Sequence, residues 1–214
     1  MLAAARQIAA GHLALEPQPV AGIVGYASRG HVLVAGPLEQ VRAVAEALRA
    51  LPHCTVLLTD GVADAGWRPP QAESRLYRGE LVEVGGHLGR YEVSVRAGEL
   101  LGNPRSIDNR RFFDLVFDLQ TPPLQPIERR PPGYYAPAGD PAALAAALAE
   151  AGDLVGEFEK PVYIRYAPDL CARGASGLTG CTRCAEVCPA WAITPGAENI
   201  AIDTQLCQGI GPCA

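Results

Sequence analysis

Apolar and polar positions change their period several times along the 214 residues. Two short β-rich runs, residues 23–26 and 31–35, are separated by Ala27-Ser28-Arg29-Gly30, a spacing that predicts a hairpin. Behind Gly36, Pro37 marks a helix start, and Leu38, Val41, Val44, Ala45, Leu48 and Leu51 recur at the spacing of one helical face. The apolar run 55–59 then predicts a buried strand. Strand, helix and strand, closed by Asp60-Gly61, read as an α/β unit with its helix laid on a sheet. From Arg75 onward the period becomes two: residues 81–84 and 90–95 flank Gly85-Gly86-His87-Leu88-Gly89, which predicts a second hairpin, and residues 112–119 predict one further alternating strand.

The next stretch is punctuated by proline. Thr121-Pro122-Pro123-Leu124-Gln125-Pro126 and Arg130-Pro131-Pro132-Gly133 can form neither a regular helix nor a central strand. Such a semi-rigid connector is expected to pack across the surface of the first domain, anchored by Tyr134-Tyr135. Asp140 followed by Pro141 is an N-cap with proline at the first helical position, opening an alanine-rich helix over 142–151 that packs through Leu144, Leu148 and Val155. Val162-Tyr163-Ile164 reads as a strand. The expected fold class is therefore α+β: an α/β domain with β-hairpins over 1–120, a connector and helix over 121–160, and a small cysteine-bearing domain over 161–214.

Composition narrows the function. With 49% hydrophobic and 19% charged residues the chain can bury a core and fits one or two domains. A net charge of -5 without any Lys/Arg tract argues against nucleic acid, and Arg110-Arg111 and Arg129-Arg130 read as solvated loop ends. The apolar stretch 142–149 is too short to span a bilayer, so a cytoplasmic protein with no membrane partner is expected. The sequence offers no enzyme site. Gly85-Gly86-x-x-Gly89 joins two β-rich runs instead of opening a helix, so it is turn chemistry and not a phosphate loop. His12, His31, His53 and His87 lack paired metal-ligand spacing, and Ser28, Ser74, Ser94, Ser106 and Ser176 lack a nucleophile elbow.

The chemistry lies in the cysteines. Cys181, Cys184 and Cys188 followed by Pro189 spell C-x2-C-x3-C-P, the back half of a bacterial iron–sulfur ligand run. Cys171 stands where that run would begin, displaced by the nine glycine-rich residues 172–180. Cys207 and Cys213 sit as the first and third ligands of a second run, with Ile210 at the second position and the chain stopping at Ala214. Between the runs, 192–193 and 200–203 predict two short strands around Pro195-Gly196. Cysteine groups also bind zinc or form disulfides, and those readings stay open beside the iron–sulfur one. A zinc- or disulfide-stapled interaction module without a redox role is the alternative function. Cys54, alone before the 55–59 run, reads as a small packed hydrophobe.

From about Lys160 onward, through Cys181-x2-Cys184-x3-Cys188-Pro189 and Cys207-x5-Cys213, the chain resembles two-cluster bacterial-type ferredoxins. A looser resemblance, through residues 111–119, Pro132-Gly133-Tyr134-Tyr135 and 154–161, is to the larger ferredoxin proteins that accompany bacterial formate dehydrogenases. Because those proteins are longer, the resemblance implies a chain truncated inside its second run. It also implies a metal site built from Cys171, Cys181 and Cys184, and a second built from Cys188, Cys207 and Cys213, since the fourth cysteine of each run crosses to the other cluster. The implied cofactors are 4Fe–4S clusters, with a 3Fe–4S cluster as the alternative where Ile210 replaces a ligand, incomplete or labile in a truncated chain. The implied activity is electron transfer without bond-making catalysis, to or from a redox enzyme such as a formate dehydrogenase. Asp169, Glu186, Glu198 and Asp203 outnumber Arg173 and Arg183 around the runs, which suits a basic face on that partner. Trp191, Ile193 and Ile202 are expected to provide an apolar cover.

Overall fold

The structure, a computed structural model, describes residues 22–61, 66–100, 110–125, 130–176, 180–211 and 213. His12, Ser106 and Arg129 lie outside the described residues, as does part of the insertion after Cys171. The strands are β1 (Ile23–Ser28), β2 (His31–Gly36), β3 (His53–Leu58), β4 (Glu73–His87), β5 (Arg90–Leu100), β6 (Arg110–Phe113), β7 (Leu115–Asp118), β8 (Tyr134–Tyr135), β9 (Gly156–Pro161), β10 (Ile193–Pro195) and β11 (Ile200–Ile202). The described helices are α1 (Leu38–Ala47), α2 (Pro141–Asp153), and the short α3 (Ala172–Ser176) and α4 (Arg183–Glu186).

The expected α+β class, an N-terminal α/β domain followed by a partial ferredoxin-like domain, is overturned: the chain is mainly β with few helices. One seven-stranded sheet runs in the order β6-β5-β4-β3-β2-β7-β8. Its parallel pairs β2–β3, β3–β4, β2–β7 and β7–β8 give residues 31–135 the character of a parallel β-solenoid of about four turns. The physical reason lies in the crossovers. Between β2 and β3 the chain returns through α1, but between β3 and β4 the described residues are non-helical, and Pro69-Pro70 could not continue a helix there. Among the described residues after Pro161 there are short helices and the antiparallel pair β10–β11.

Burial explains why the centre of the sheet is parallel. In β2 and β3 every residue after the first is buried, the continuous apolar pattern of a strand covered on both faces. On one face Val32, Val34, Val56, Leu58, Leu115 and Phe117 pack with Leu38, Val41 and Val44 of α1 and with Ala147 and Ala151 of α2. Leu144 and Leu148 pack there in part, whereas Val155, expected with them, is exposed. On the other face Leu33, Leu57 and Val116 meet Leu81, Val84, Tyr91 and Val93 of the β4–β5 hairpin. Register shifts at Arg78/Glu80 and Leu81/Glu83 are the bends that let this hairpin curl over its own sheet. The α1 ends are tied from outside: Leu38 N–H donates to Asp60 Oδ2 at 2.9 Å, and the buried Gln71 amide donates to the carbonyls of Ala45 and Leu48 at 3.0 Å each.

Three further expectations differ from the structure. β1 does not form a hairpin with β2 but pairs with β9, 120 or more residues later, in a separate two-stranded sheet. The Arg29-Gly30 turn is instead held by Asp114, whose Oδ2 accepts from Arg29 N–H at 2.8 Å and His31 N–H at 2.9 Å. The same Asp114 interrupts the strand expected over 112–119, dividing it into β6 and β7. Finally, Val162-Tyr163-Ile164 is not a strand; β9 ends at Pro161, and Val162 N–H closes onto Gly22 carbonyl at 2.7 Å. The helix cap at Asp140 is present, its Oδ1 accepting from Ala142 N–H at 2.8 Å.

Candidate metal centre

Six cysteines fall in the last stretch of chain, and all six are half-buried. Cys171 follows a 3-10 turn, Pro168–Leu170, and its thiol is drawn below the usual range first by a hydrogen bond with the Tyr166 hydroxyl, then by the Gly174 N–H. Gly174 permits this approach, because a Cβ there would lie 2.6 Å from Pro168 carbonyl. Tyr166, whose hydroxyl also stands 3.3 Å from Asn199 Oδ1, has its own pKa raised, chiefly by the bond to Cys171. Cys181 precedes α4, Cys184 lies within it, and Cys188 follows it before Pro189.

Cys188 Sγ accepts the Ala192 N–H at 3.3 Å, a main-chain donor aimed at sulfur. The donor is placed by the β10–β11 ribbon, in which Ile193 pairs with Ile202 and Asp203 N–H returns to Ala192 carbonyl at 2.8 Å. Asp203 then opens the second run: its Oδ1 accepts from Gln205 and Leu206 N–H, and its carbonyl accepts from Cys207 N–H at 3.0 Å. The Cys213 thiol is pushed up, first by burial and then by the neighbouring Cys188, Cys207 and Cys184. Cys213 of the second run is thus in electrostatic reach of cysteines from both runs. Cys171 belongs electrostatically with Tyr166, which also feels Cys184. Among the described residues no three Cys, His, Asp or Glu side chains converge on a point that could hold a single ion. An iron–sulfur cluster takes one thiolate on each iron, spread over its corners. The donor set, soft thiolates on tight turns with an N–H to sulfur, fits such a cluster.

Residues other than cysteine also shape the centre. Lys160 of β9 donates through Nζ to the carbonyls of Gln205 at 2.6 Å and Cys207 at 2.7 Å, and the Tyr26 hydroxyl donates to the same Gln205 carbonyl at 2.6 Å. Burial lowers the Lys160 pKa, while Cys207 and Asp203 oppose that shift. The Tyr163 ring packs on Gly209, which has φ +66 and would bring a Cβ within 2.7 Å of that ring. Arg173, 5% exposed, donates to the carbonyls of Cys181 and Gly196. Period-two reading of β9 places Lys160 on the same side as Phe158 and could have found it; nothing local announced Arg173. The expected apolar cover is only partial: Ile193 is buried and Ile202 half-buried, but Trp191 is 57% exposed with φ +52.

Cys54 stands apart, fully buried in β3 with its thiol pushed up to about 12 by burial. In the folded, reduced chain at pH 8 iodoacetamide is expected to label the six C-terminal cysteines and spare Cys54 until denaturant is added, as read by peptide mass spectrometry. Since the neutral thiol is the form that folding favours, the Cys54 contribution to stability is complete below the ordinary thiol pKa. It is lost as pH rises towards about 12.

Among the described residues no helix is long and apolar enough to cross a membrane. No protein-family model matches the chain, and no curated protein or solved structure matches it.

Proposed function

We propose that this chain is an iron–sulfur electron-transfer protein of the ferredoxin kind, exchanging electrons with a redox enzyme. The observation that carries the reading is the Ala192 N–H donated to Cys188 Sγ at 3.3 Å within the Cys181-x2-Cys184-x3-Cys188-Pro189 run, with the Cys213 thiol of the second run in electrostatic reach of Cys184, Cys188 and Cys207. Bound through those thiolates, a cluster supplies reversible one-electron transfer, within a span of roughly -700 to +450 mV over all such centres. The protein's part is to hold the sulfur atoms on short turns, to aim the Ala192 N–H at Cys188 Sγ, and to keep Ile193 packed beneath the first run. A donor to a ligand sulfur offsets part of its negative charge and so favours the reduced state. Acidic residues in and around the runs, Glu186, Glu198 and Asp203, favour a partner with a basic docking face.

The test is anaerobic reconstitution of the purified chain with ferrous iron and sulfide, followed by iron and acid-labile sulfide counts and by EPR after reduction. A brown chromophore bleached by dithionite is expected. Cys188→Ser should lower bound iron to roughly half or less, because a crossing ligand serves the cluster opposite its own run. Tight zinc without labile sulfide, or a colourless protein whose iron washes off, would establish the stapled interaction module instead.

A further inference from the structure

Two cations reach the cysteine runs from elements that otherwise have nothing in common. Lys160 comes from β9, in the small β1–β9 sheet, and its ammonium donates to the Cys207 carbonyl at 2.7 Å. Arg173 comes from α3, inside the nine residues that separate Cys171 from Cys181, and its guanidinium Nε donates to the Cys181 carbonyl at 3.1 Å. In each case the acceptor is the main-chain oxygen of a cysteine, and in each case the cation holds a second carbonyl as well. Lys160 takes Gln205, the residue two before its cysteine, while Arg173 takes Gly196 at the turn of the β10–β11 ribbon. Neither cation is placed freely in water. Arg173 is 5% exposed, and Lys160 is half-buried with its ammonium 5.3 Å from the centre of the Tyr26 ring and 6.0 Å from that of Tyr163.

Burying a cation on neutral carbonyls is costly unless negative charge stands nearby. Such charge is at hand: Cys207 and the Asp203 carboxylate act on Lys160, and Arg173 acts on Cys171. We infer that Lys160 and Arg173 are the positioning residues of the two cysteine runs, each fixing the backbone of one run and setting a positive charge beside its thiolates. The inference rests on the iron–sulfur reading, and it gives the insertion after Cys171 a purpose, namely to deliver Arg173. A fixed positive charge stabilises the more negative, reduced state of a thiolate-bound centre, so the pair would raise the reduction potential.

Four variants of the full chain test this: Lys160→Met and Arg173→Met remove the charge but keep the stem, and Lys160→Arg and Arg173→Lys retain it. The first readout, amide hydrogen exchange of the reduced, metal-free protein, needs no cluster. Lys160→Met should speed exchange over 205–209 by about tenfold and leave 181–188 nearly unchanged, and Arg173→Met should do the reverse, since charge-assisted hydrogen bonds to the backbone are lost in one run only. The second readout is the midpoint potential after reconstitution, expected to move negative in both methionine variants and to return in the charge-retaining ones. Equal loosening of both runs, unchanged exchange, or potentials indifferent to the charge would overturn the inference. Should wild-type protein take up no iron, the function proposed above fails, while the exchange pattern still decides whether these cations clamp their separate runs.

Discussion

Asp118→Ala is expected to lower the free energy of unfolding by roughly 4 kcal/mol, enough to leave a domain of this size only marginally folded. Asp118 ends β7 and is fully buried. Its Oδ2 accepts from the Tyr134 hydroxyl at 2.8 Å and the Leu124 N–H at 2.7 Å, and its Oδ1 accepts from the Gln120 N–H and side-chain amide at 3.1 Å each. Alanine would strand the buried Tyr134 hydroxyl and remove the acceptor shared by the part-buried Leu124 and Gln120 donors, and each buried orphan costs about 1–3 kcal/mol. Tyr134 is the partner hit hardest, because burial and Asp118 together keep its phenol protonated. Asp118→Asn keeps one acceptor oxygen and should cost less. Urea unfolding followed by far-UV circular dichroism gives the comparison; a loss below about 1 kcal/mol for the alanine variant would show that water replaces the carboxylate.

The second large effect belongs to Gly89, the turn residue between β4 and β5. It has φ +80, and a Cβ there would lie 2.0 Å from the Ala27 carbonyl of β1. Its N–H also donates to Asp114 carbonyl at 3.1 Å. Gly89→Ala therefore combines a left-handed backbone strain with a collision against main chain, for a cost on the order of 3 kcal/mol. Gly85, in the same glycine-rich stretch, has open space around its Cβ position, so Gly85→Ala should change stability by less than about 0.5 kcal/mol. The collision has a remote consequence. Pushing Ala27 moves β1, and with it Tyr26, whose hydroxyl holds Gln205. Limited proteolysis of Gly89→Ala should then cut the cysteine-bearing tail under conditions where wild type resists, and equal resistance would mean that β1 does not transmit the displacement.

Which parts of this were legible in the sequence follows from the range of the interactions involved. Helix α1 showed itself in Leu38, Val41 and Val44, and the β4–β5 turn in Leu88-Gly89, because their signals lie within a few residues. So did the Asp140-Pro141 start of α2 and the β10–β11 ribbon around Pro195-Gly196. The partner of β1 was not legible. The residues 27–30 look like a hairpin turn, and only Asp114, 83 positions from His31, redirects them. For the same reason the fold class was misjudged: whether a strand joins its neighbour in parallel depends on crossovers, and the β3–β4 crossover carries no helix to announce it. At the candidate site, spacing alone pointed to the thiols. Arg173 lay hidden because an insertion rich in glycine reads as passive loop, although the cation within it is almost fully enclosed.

The hydroxyl of Tyr26 and the carbonyl of Gln205 meet across 179 positions of chain. A ribosome releases Tyr26 many seconds before Gln205, at about 5–20 residues per second, so the dock exists as a solitary ribbon strand awaiting its counterpart. β9, which pairs with β1 and carries Lys160, precedes all six C-terminal cysteines in the chain, so both strands of that ribbon leave the ribosome before them. Under the function proposed above, iron would then be delivered to a chain whose β1–β9 pair is already in place.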